Sequence, residues 1–154
     1  MSPRVETNYL ASGVGRGMLA LQKEVDASGL DASLRELIKI RASQMNGCAY
    51  CIDMHTKDAR AMGESEGRIY ALNAWRETPF YSDRERAALE WTEAVTAISA
   101  AHVPDDVFER VRPHFTEAEL VALTMAIVAI NGWNRLAIAF RLPVGSYRAK
   151  TALA

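Results

Sequence analysis

Two cysteines and one histidine within eight residues are the groups in this sequence best suited to chemistry. Cys48, Cys51 and His55 lie in the stretch GCAYCIDMHTKDARAM (Gly47–Met62), and the chain contains no other cysteine. On a helix, residues three, four and seven positions apart share a face, so the two thiols and the imidazole lie on one stripe. The stripe continues to Ala59 and Met62, which are apolar. We therefore expect the three groups to be partly shielded from water.

This arrangement favours thiol redox chemistry. The reactive form of a cysteine is the thiolate, which is favoured in the first turn of a helix, where unpaired N–H groups stabilise an anion. A helix breaker, Asn46-Gly47, precedes the cysteines. His55, one turn after Cys51, can accept a proton from its thiol. A peroxide would oxidise one cysteine to a sulfenic acid, and the other would condense with it to a disulfide.

Other uses of a C-x-x-C motif fit less well. A bridge between Cys48 and Cys51 closes too small a loop to stabilise the fold. No βαβ pattern supports a thioredoxin-like fold, and an isoleucine follows the second cysteine, unlike the C-x-x-C-H haem motif. Structural zinc sites have four ligands, and His102 and His114 do not form a spaced pair. A metal-binding module through Cys48, Cys51 and His55 remains a minor alternative.

The elements that must position these groups are helices, because no useful length alternates with period two. We predict an all-α fold of six or seven helices, with the C-x-x-C motif at the N-terminus of a central helix. Glycines at 13, 15 and 17 predict an irregular first segment, since each costs ~1 kcal/mol in a helix. The predicted helices are Met18–Val25, Ala32–Met45, a central helix ending at Gly63, Glu64–Trp75, Ser82–Ile98, a short helix from Pro104 to Arg112, and Thr116–Phe140.

Capping residues indicate where several of these helices begin. Ser82-x-x-Glu85 and Thr116-x-x-Glu119 have the capping-box pattern. Either Asp31 or Ser33 can cap the second helix, and Ser33-x-x-Glu36 also fits a capping box. In that case capping alone accounts for Glu36, which lies near the polar flank of its helix.

Length and charge restrict the function classes. The chain has 154 residues, 18 basic and 19 acidic, with a net charge of −1. We predict one domain, 1–154 with its core at 30–141, that binds neither nucleic acid nor membranes. The longest apolar run, Leu120–Ile130, is too short to cross a bilayer. No secretory leader is visible, which favours a cytoplasmic location.

A longer segment carries a resemblance to a known family. The residues from Glu36 to His55 read ELIKIRASQMNGCAYCIDMH, a glutamate followed after eleven residues by C-x-x-C-x-x-x-H. This pattern resembles the core motif of the AhpD-like alkylhydroperoxidases in the carboxymuconolactone decarboxylase superfamily. The segments Tyr81–Thr96 and Ile130–Arg141 also resemble single-domain members, so the likeness spans most of the chain.

The resemblance implies a reaction and roles for four residues. It implies thiol-dependent reduction of organic hydroperoxides, with Cys51 as the peroxidatic cysteine, Cys48 as the resolving one, and Glu36 and His55 as a proton relay. No metal or organic cofactor is needed. The reductant would be a lipoyl or thioredoxin-like dithiol protein, and the assembly a homo-oligomer, a hexamer or else a trimer or dimer. From helix position alone, Cys48 would instead be the more acidic thiol.

One position departs from the family pattern. Some peroxidases of the family have a histidine just before the second cysteine, where this chain has Tyr50. A phenol donates a hydrogen bond but is a poor base at neutral pH. Members that lack both cysteines act as decarboxylases, a chemistry that the cysteines here disfavour. A non-enzymatic redox sensor, whose assembly changes on thiol oxidation, is the main alternative.

Overall fold

Within residues 2–5 and 8–149, which the computed structural model describes, the regular structure is entirely helical. The predicted all-α class is therefore confirmed. The described residues form eight α-helices rather than the predicted six or seven, because some of the helices are short segments. The ends of the predicted domain, Met1 and Ala154, lie outside the described residues. The helices are α1 Gly13–Asp26, α2 Ala32–Asn46, α3 Ala49–Ala61, α4 Glu66–Ala71, α5 Asp83–Thr96, α6 Ile98–Ala101, α7 Asp105–Val111 and α8 Glu117–Phe140, with 3₁₀ segments at Tyr9–Ala11, Leu72–Glu77 and Arg112–His114.

Helices α2 and α3 are joined by a two-residue turn that sets the position of the cysteines. Gly47 has φ 67°, in the left-handed region that glycine adopts at little cost, and it ends α2. Cys48 is the N-cap of α3, and its Sγ accepts a hydrogen bond from the N–H of Cys51 at 3.3 Å. The predicted location of the motif, at the start of a central helix, is confirmed.

Capping explains most of the helix starts. Asp31 caps α2, since its carboxylate accepts the N–H of Leu34 at 2.9 Å; Ser33 is not the cap. Both predicted capping boxes, at the starts of α5 and α8, are present. The expectation of irregular structure at the glycines is wrong from Gly13 onward, because the Ser12 hydroxyl caps α1 by accepting the N–H of Gly15 at 3.0 Å.

Two predicted helices are shorter than expected. The helix predicted for Glu64–Trp75 is α4 followed by a 3₁₀ segment with a kink at Ala74. The helix predicted to continue to Ile98 ends at Thr96. Ile98 then belongs to the separate segment α6 and is 52% exposed.

Helix α8 is the centre of the packing, in contact with α1, α2, α3 and α5. It extends well beyond the apolar run seen in the sequence, and by length and a mean hydropathy of 1.4 it is long and apolar enough to cross a membrane. Of its most apolar 18 residues 39% are buried, and the buried ones face the other helices. These buried residues are Leu123, Ala126, Ile127, Ala129, Ile130, Asn134 and Ala137.

Candidate functional site

The two cysteines are joined by a disulfide at the start of α3. Their Cα atoms are 5.4 Å apart, and each residue is only 1% exposed. They pack in a small apolar cluster with Ala42, Ile130 and Ala137, contributed by α2 and α8. The pair predicted to exchange between dithiol and disulfide is therefore close enough to do so.

A buried chain of ionisable groups lies one turn further along α3. Glu36, on α2, accepts a hydrogen bond at 2.8 Å from His55 Nδ1 through Oε2, and another at 2.8 Å from Lys39 Nζ through Oε1. All three residues are buried, at 7% to 8% exposure. Glu36 thus points inward to His55 rather than forming a capping box with Ser33. That alternative explanation of Glu36 is wrong.

The charge state of Glu36 determines which nitrogen of His55 is protonated. Burial alone raises the pKa of the Glu36 carboxyl, but the hydrogen bonds and charges of His55 and Lys39 outweigh it and hold that pKa below its ordinary value of 4.5. Glu36 is therefore an acceptor at neutral pH, and Nδ1 of His55 must carry the proton that it donates. The other nitrogen, Nε2, is left free to accept a proton.

Cys51 and His55 line the same cavity, which has a volume of about 330 Å³. Lys39, which is paired with Glu36, also lines it. The remaining wall is mostly apolar and comes from the N-terminal segment, α1, α3, α8 and the chain after α8. These other residues are Leu10, Gln22, Asp26, Tyr50, Met54, Trp133, Ala137 and Leu142.

Cys48 lines a different and wider cleft of about 690 Å³. Tyr50, Ala137 and Leu142 line both spaces and therefore stand between them. The two cysteines of one disulfide thus line two different spaces.

Among the described residues, one group could hold a metal ion, but it is not the predicted set. The ligand atoms of Glu36, His55 and Asp58 lie within 4.8 Å of one another. Glu36 is already bonded to His55 and Lys39, and Asp58 accepts a hydrogen bond from the Tyr147 hydroxyl at 2.7 Å. In the disulfide form Cys48 and Cys51 do not offer thiolate ligands, so the alternative set of two cysteines and His55 is not available in this state.

Lys39 and a polar network beneath the motif were missed in the sequence. Asn134 is fully buried, accepts a hydrogen bond from Asn46 at 2.8 Å and donates one to Ser43 at 3.0 Å. Asn131 accepts a second bond from Asn46 at 2.9 Å. The network ties the end of α2 to α8 and fixes the turn that bears the cysteines. The sequence signal for Asn134 was an asparagine within an apolar helix. The sequence signal for Lys39 was only its position one turn after Glu36.

Sequence comparison identifies relatives over most of the chain. Residues 13–94 match the model of the Carboxymuconolactone decarboxylase family. The uncharacterized protein YdfG of Bacillus subtilis is 51% identical over 139 residues, which cover 90% of this chain and 95% of YdfG. The uncharacterized protein YnjA of Escherichia coli is 33% identical over 116 residues, covering 75% of this chain and 63% of YnjA.

Solved structures share the fold. ATU0492 from Agrobacterium tumefaciens, a protein of unknown function proposed to be the antioxidant defence protein AhpD, superposes with a TM-score of 0.89 at 45% identity over 95% of this chain and all of that chain. The debrominase Bmp8 superposes with a TM-score of 0.77 at 23% identity, over 85% of this chain and 70% of its own. At that identity, the likeness to Bmp8 is one of fold alone.

Proposed function

The chain belongs to the carboxymuconolactone decarboxylase family and has an AhpD-like fold, and from that premise we propose that it is a thiol-dependent peroxidase that reduces organic hydroperoxides. Cys51 is the proposed peroxidatic cysteine and Cys48 the resolving one. His55 and Glu36 are the proposed proton relay. No metal or organic cofactor takes part in this scheme.

One observation carries the proposal: Cys51 shares a largely apolar cavity with an imidazole that a buried carboxylate orients. Glu36 holds Nδ1 of His55. Nε2 is therefore the proposed base that accepts the proton of the Cys51 thiol. Lys39, whose ammonium group is paired with Glu36, lies in the same cavity wall. These are the requirements of a nucleophilic cysteine.

In the first step, His55 takes the proton from the Cys51 thiol, and the thiolate attacks the terminal oxygen of the hydroperoxide. The O–O bond breaks, and the leaving alkoxide takes the proton back from the imidazolium, forming an alcohol. Cys51 becomes a sulfenic acid. The carboxylate of Glu36 stabilises the transient imidazolium through its bond to Nδ1.

In the second step, the Cys48 thiol attacks the sulfur of the sulfenic acid. An S–S bond forms, and the hydroxyl group leaves as water with the proton of that thiol. The cycle thus oxidises two thiols and reduces one hydroperoxide to an alcohol and water. An external dithiol must then reduce the disulfide before another turnover.

The mostly apolar wall favours an uncharged alkyl or aryl hydroperoxide over hydrogen peroxide. The relative ATU0492, at 45% identity, is itself proposed to act in antioxidant defence. The debrominase Bmp8 carries a different chemistry on the same fold, so the proposal depends on the site and not on the architecture. We further propose that the protein works in the cytoplasm as a homo-oligomer.

The test uses cumene hydroperoxide and protein reduced by dithiothreitol, with excess reductant removed. One equivalent of peroxide should convert wild type to the intramolecular disulfide within the mixing time of a manual assay, as read by intact mass after alkylation. Cys51→Ser should form no disulfide and consume no peroxide. Failure of wild type to consume peroxide with any dithiol would contradict the peroxidase proposal, and a large change in sedimentation without turnover would indicate a redox sensor instead.

A further inference from the structure

The two cysteines of the disulfide line spaces of different character. The cavity at Cys51 is smaller and contains His55, Lys39 and Asp26. The cleft at Cys48 has about twice the volume, at 690 Å³ against 330 Å³. A peroxide and a thiol reductant therefore need not use the same entrance.

The Cys48 cleft carries charge of one sign among the described residues that line it. Arg4 and Arg141 lie in its wall, together with Cys48, and the other lining residues are uncharged. These others are Gly47, Ala49, Tyr50, Ala137, Ile138, Leu142, Pro143 and Val144. A cleft with walls of low polarity and two guanidinium groups concentrates anions beside Cys48, which lines it.

The arginines are held where they can act in this way. Arg4 donates through its backbone N–H to the carbonyl of Phe140 at 3.0 Å and through Nη1 to the carbonyl of Ala139 at 3.2 Å, so the N-terminal segment is tied to the end of α8. Arg141 follows α8 directly, in the left-handed conformation with φ 55° that turns the chain over the cleft. Among the described residues, no carboxylate forms a salt bridge with either arginine.

We infer that the Cys48 cleft is the binding site for a reducing thiol that carries negative charge. This inference deepens the proposed function, because it assigns the second half of the cycle to the opposite side of the disulfide. The chemical class is an anionic thiol that supplies two sulfhydryl groups, from one dithiol or from two monothiol molecules, with carboxylate or similar groups near its sulfurs. Arg4 and Arg141 bind those groups.

The exchange takes place at Cys48. The thiolate of the reductant attacks Sγ of Cys48, an S–S bond forms between them, and the original bond breaks. Cys51 leaves with the electron pair as a thiolate on the side of His55, where it takes up a proton and returns to the peroxidatic state. The second thiol of the reductant then attacks the mixed disulfide, releases Cys48 and closes the disulfide of the reductant.

The test measures the charge preference of each sulfur separately and does not depend on peroxidase activity. The single-cysteine variants Cys51→Ser and Cys48→Ser are reacted with two disulfide reagents of similar size, the dianionic 5,5′-dithiobis(2-nitrobenzoate) and the neutral 4,4′-dithiodipyridine. The ratio of the two rate constants cancels the intrinsic reactivity of each thiol. We expect this anionic-to-neutral ratio to be about tenfold higher for Cys48 than for Cys51.

Substitution of the arginines then identifies the cause. Arg4→Gln/Arg141→Gln, added to Cys51→Ser, should lower the ratio at Cys48 to that at Cys51 and leave the rate with the neutral reagent unchanged. The matched control Arg110→Gln/Arg112→Gln removes two charges from exposed arginines away from the cleft and should leave the ratio high. Equal ratios at the two cysteines, or a ratio insensitive to the cleft arginines, would overturn the inference while leaving the peroxidase proposal intact.

The source of the anionic thiol is decided by reduction of the wild-type disulfide with glutathione. Rapid reduction that is lost in Arg4→Gln/Arg141→Gln assigns the cleft to a free, low-molecular-weight anionic thiol. If glutathione reduces the disulfide slowly while Cys48 still prefers the anionic reagent, the cleft is assigned to a dithiol borne on a protein arm among acidic groups. Either result supports a cationic entrance at Cys48.

Discussion

Replacing Glu36 by glutamine tests two contributions of the buried charges, one to the free energy of unfolding and one to peroxide reduction. Glu36 and Lys39 have side chains only 10% exposed, and their charged atoms are 2.8 Å apart. The substitution leaves Lys39 buried without its anion, and removing one partner of a buried pair costs roughly 3 to 5 kcal/mol. Glutamine can still accept one of the two hydrogen bonds, so we expect the lower end, about 3 kcal/mol, in the free energy of unfolding measured in urea.

The same substitution should also slow peroxide reduction. Without the carboxylate, Nδ1 of His55 loses the charged acceptor that orients the ring and stabilises the imidazolium. General acid–base assistance contributes typically 10²–10⁴-fold, so we expect kcat/KM for cumene hydroperoxide to fall about a hundredfold. Lys39→Met added to Glu36→Gln should recover much of the stability, because the unpaired charge is gone, but little of the activity.

The pH dependence of the stability difference follows from the pKa of Glu36. Burial opposes ionisation, but His55 and Lys39 outweigh it and hold the folded-state pKa below 4.5. The stabilisation by the carboxylate is therefore complete above the unfolded-state pKa and is lost as the pH falls through the lower folded-state value. The difference between wild type and Glu36→Gln should be largest near neutral pH and should shrink below pH 4.5.

Glu93→Gln is the matched control. Burial opposes ionisation of Glu93 too, but hydrogen bonds from Trp75, Arg76 and Arg41 lower its pKa. It lies outside the cavity of Cys51, so its loss should reduce stability and leave kcat/KM unchanged. The reasoning is refuted if Glu36→Gln keeps wild-type kcat/KM, or if Glu93→Gln lowers it equally.

Three further variants test other parts of the account. Tyr50→His introduces a base beside Cys51 at the position where the resemblance places one, and should raise the rate of disulfide formation by about tenfold in single-turnover stopped flow; an unchanged rate would show that Tyr50 does not limit proton transfer. Asn134→Ala leaves the buried hydroxyl of Ser43 without its donor and removes one of the two hydrogen bonds of Asn46, and should cost about 2 kcal/mol in urea unfolding, against less than 0.5 kcal/mol if the network is dispensable. Thr116→Ala removes a capping box and should cost about 1 kcal/mol without changing activity, and a loss of activity would contradict its purely structural role.

The local features of the fold were predictable from sequence. The breaker at Asn46-Gly47 and the capping boxes at Ser82 and Thr116 depend on residues within one turn of each other, and the structure has them where predicted. The start of α1 was not predictable from helix propensity. There the Ser12 cap and the packing of Gly132 of α8 close to Met18 outweigh the cost of the glycines.

The site was predictable only in part, because its walls come from distant segments. The spacing of Cys48, Cys51 and His55 within α3 placed the reactive groups together, but local rules left Glu36 explained by a capping box. Its actual direction depends on how α2 packs against α3. The division into two spaces also depends on Leu142, which returns from the end of α8 and lines both of them.

The identity of the peroxidatic sulfur is the most direct test of the mechanism. Reduced Cys48→Ser and Cys51→Ser are each treated with one equivalent of cumene hydroperoxide in the presence of dimedone, which traps sulfenic acids, and the adduct is quantified by peptide mass spectrometry. The account predicts near-complete labelling of Cys51 in Cys48→Ser and little labelling of Cys48 in Cys51→Ser. Labelling of Cys48 alone, with Cys51 unreactive beside His55, would contradict it.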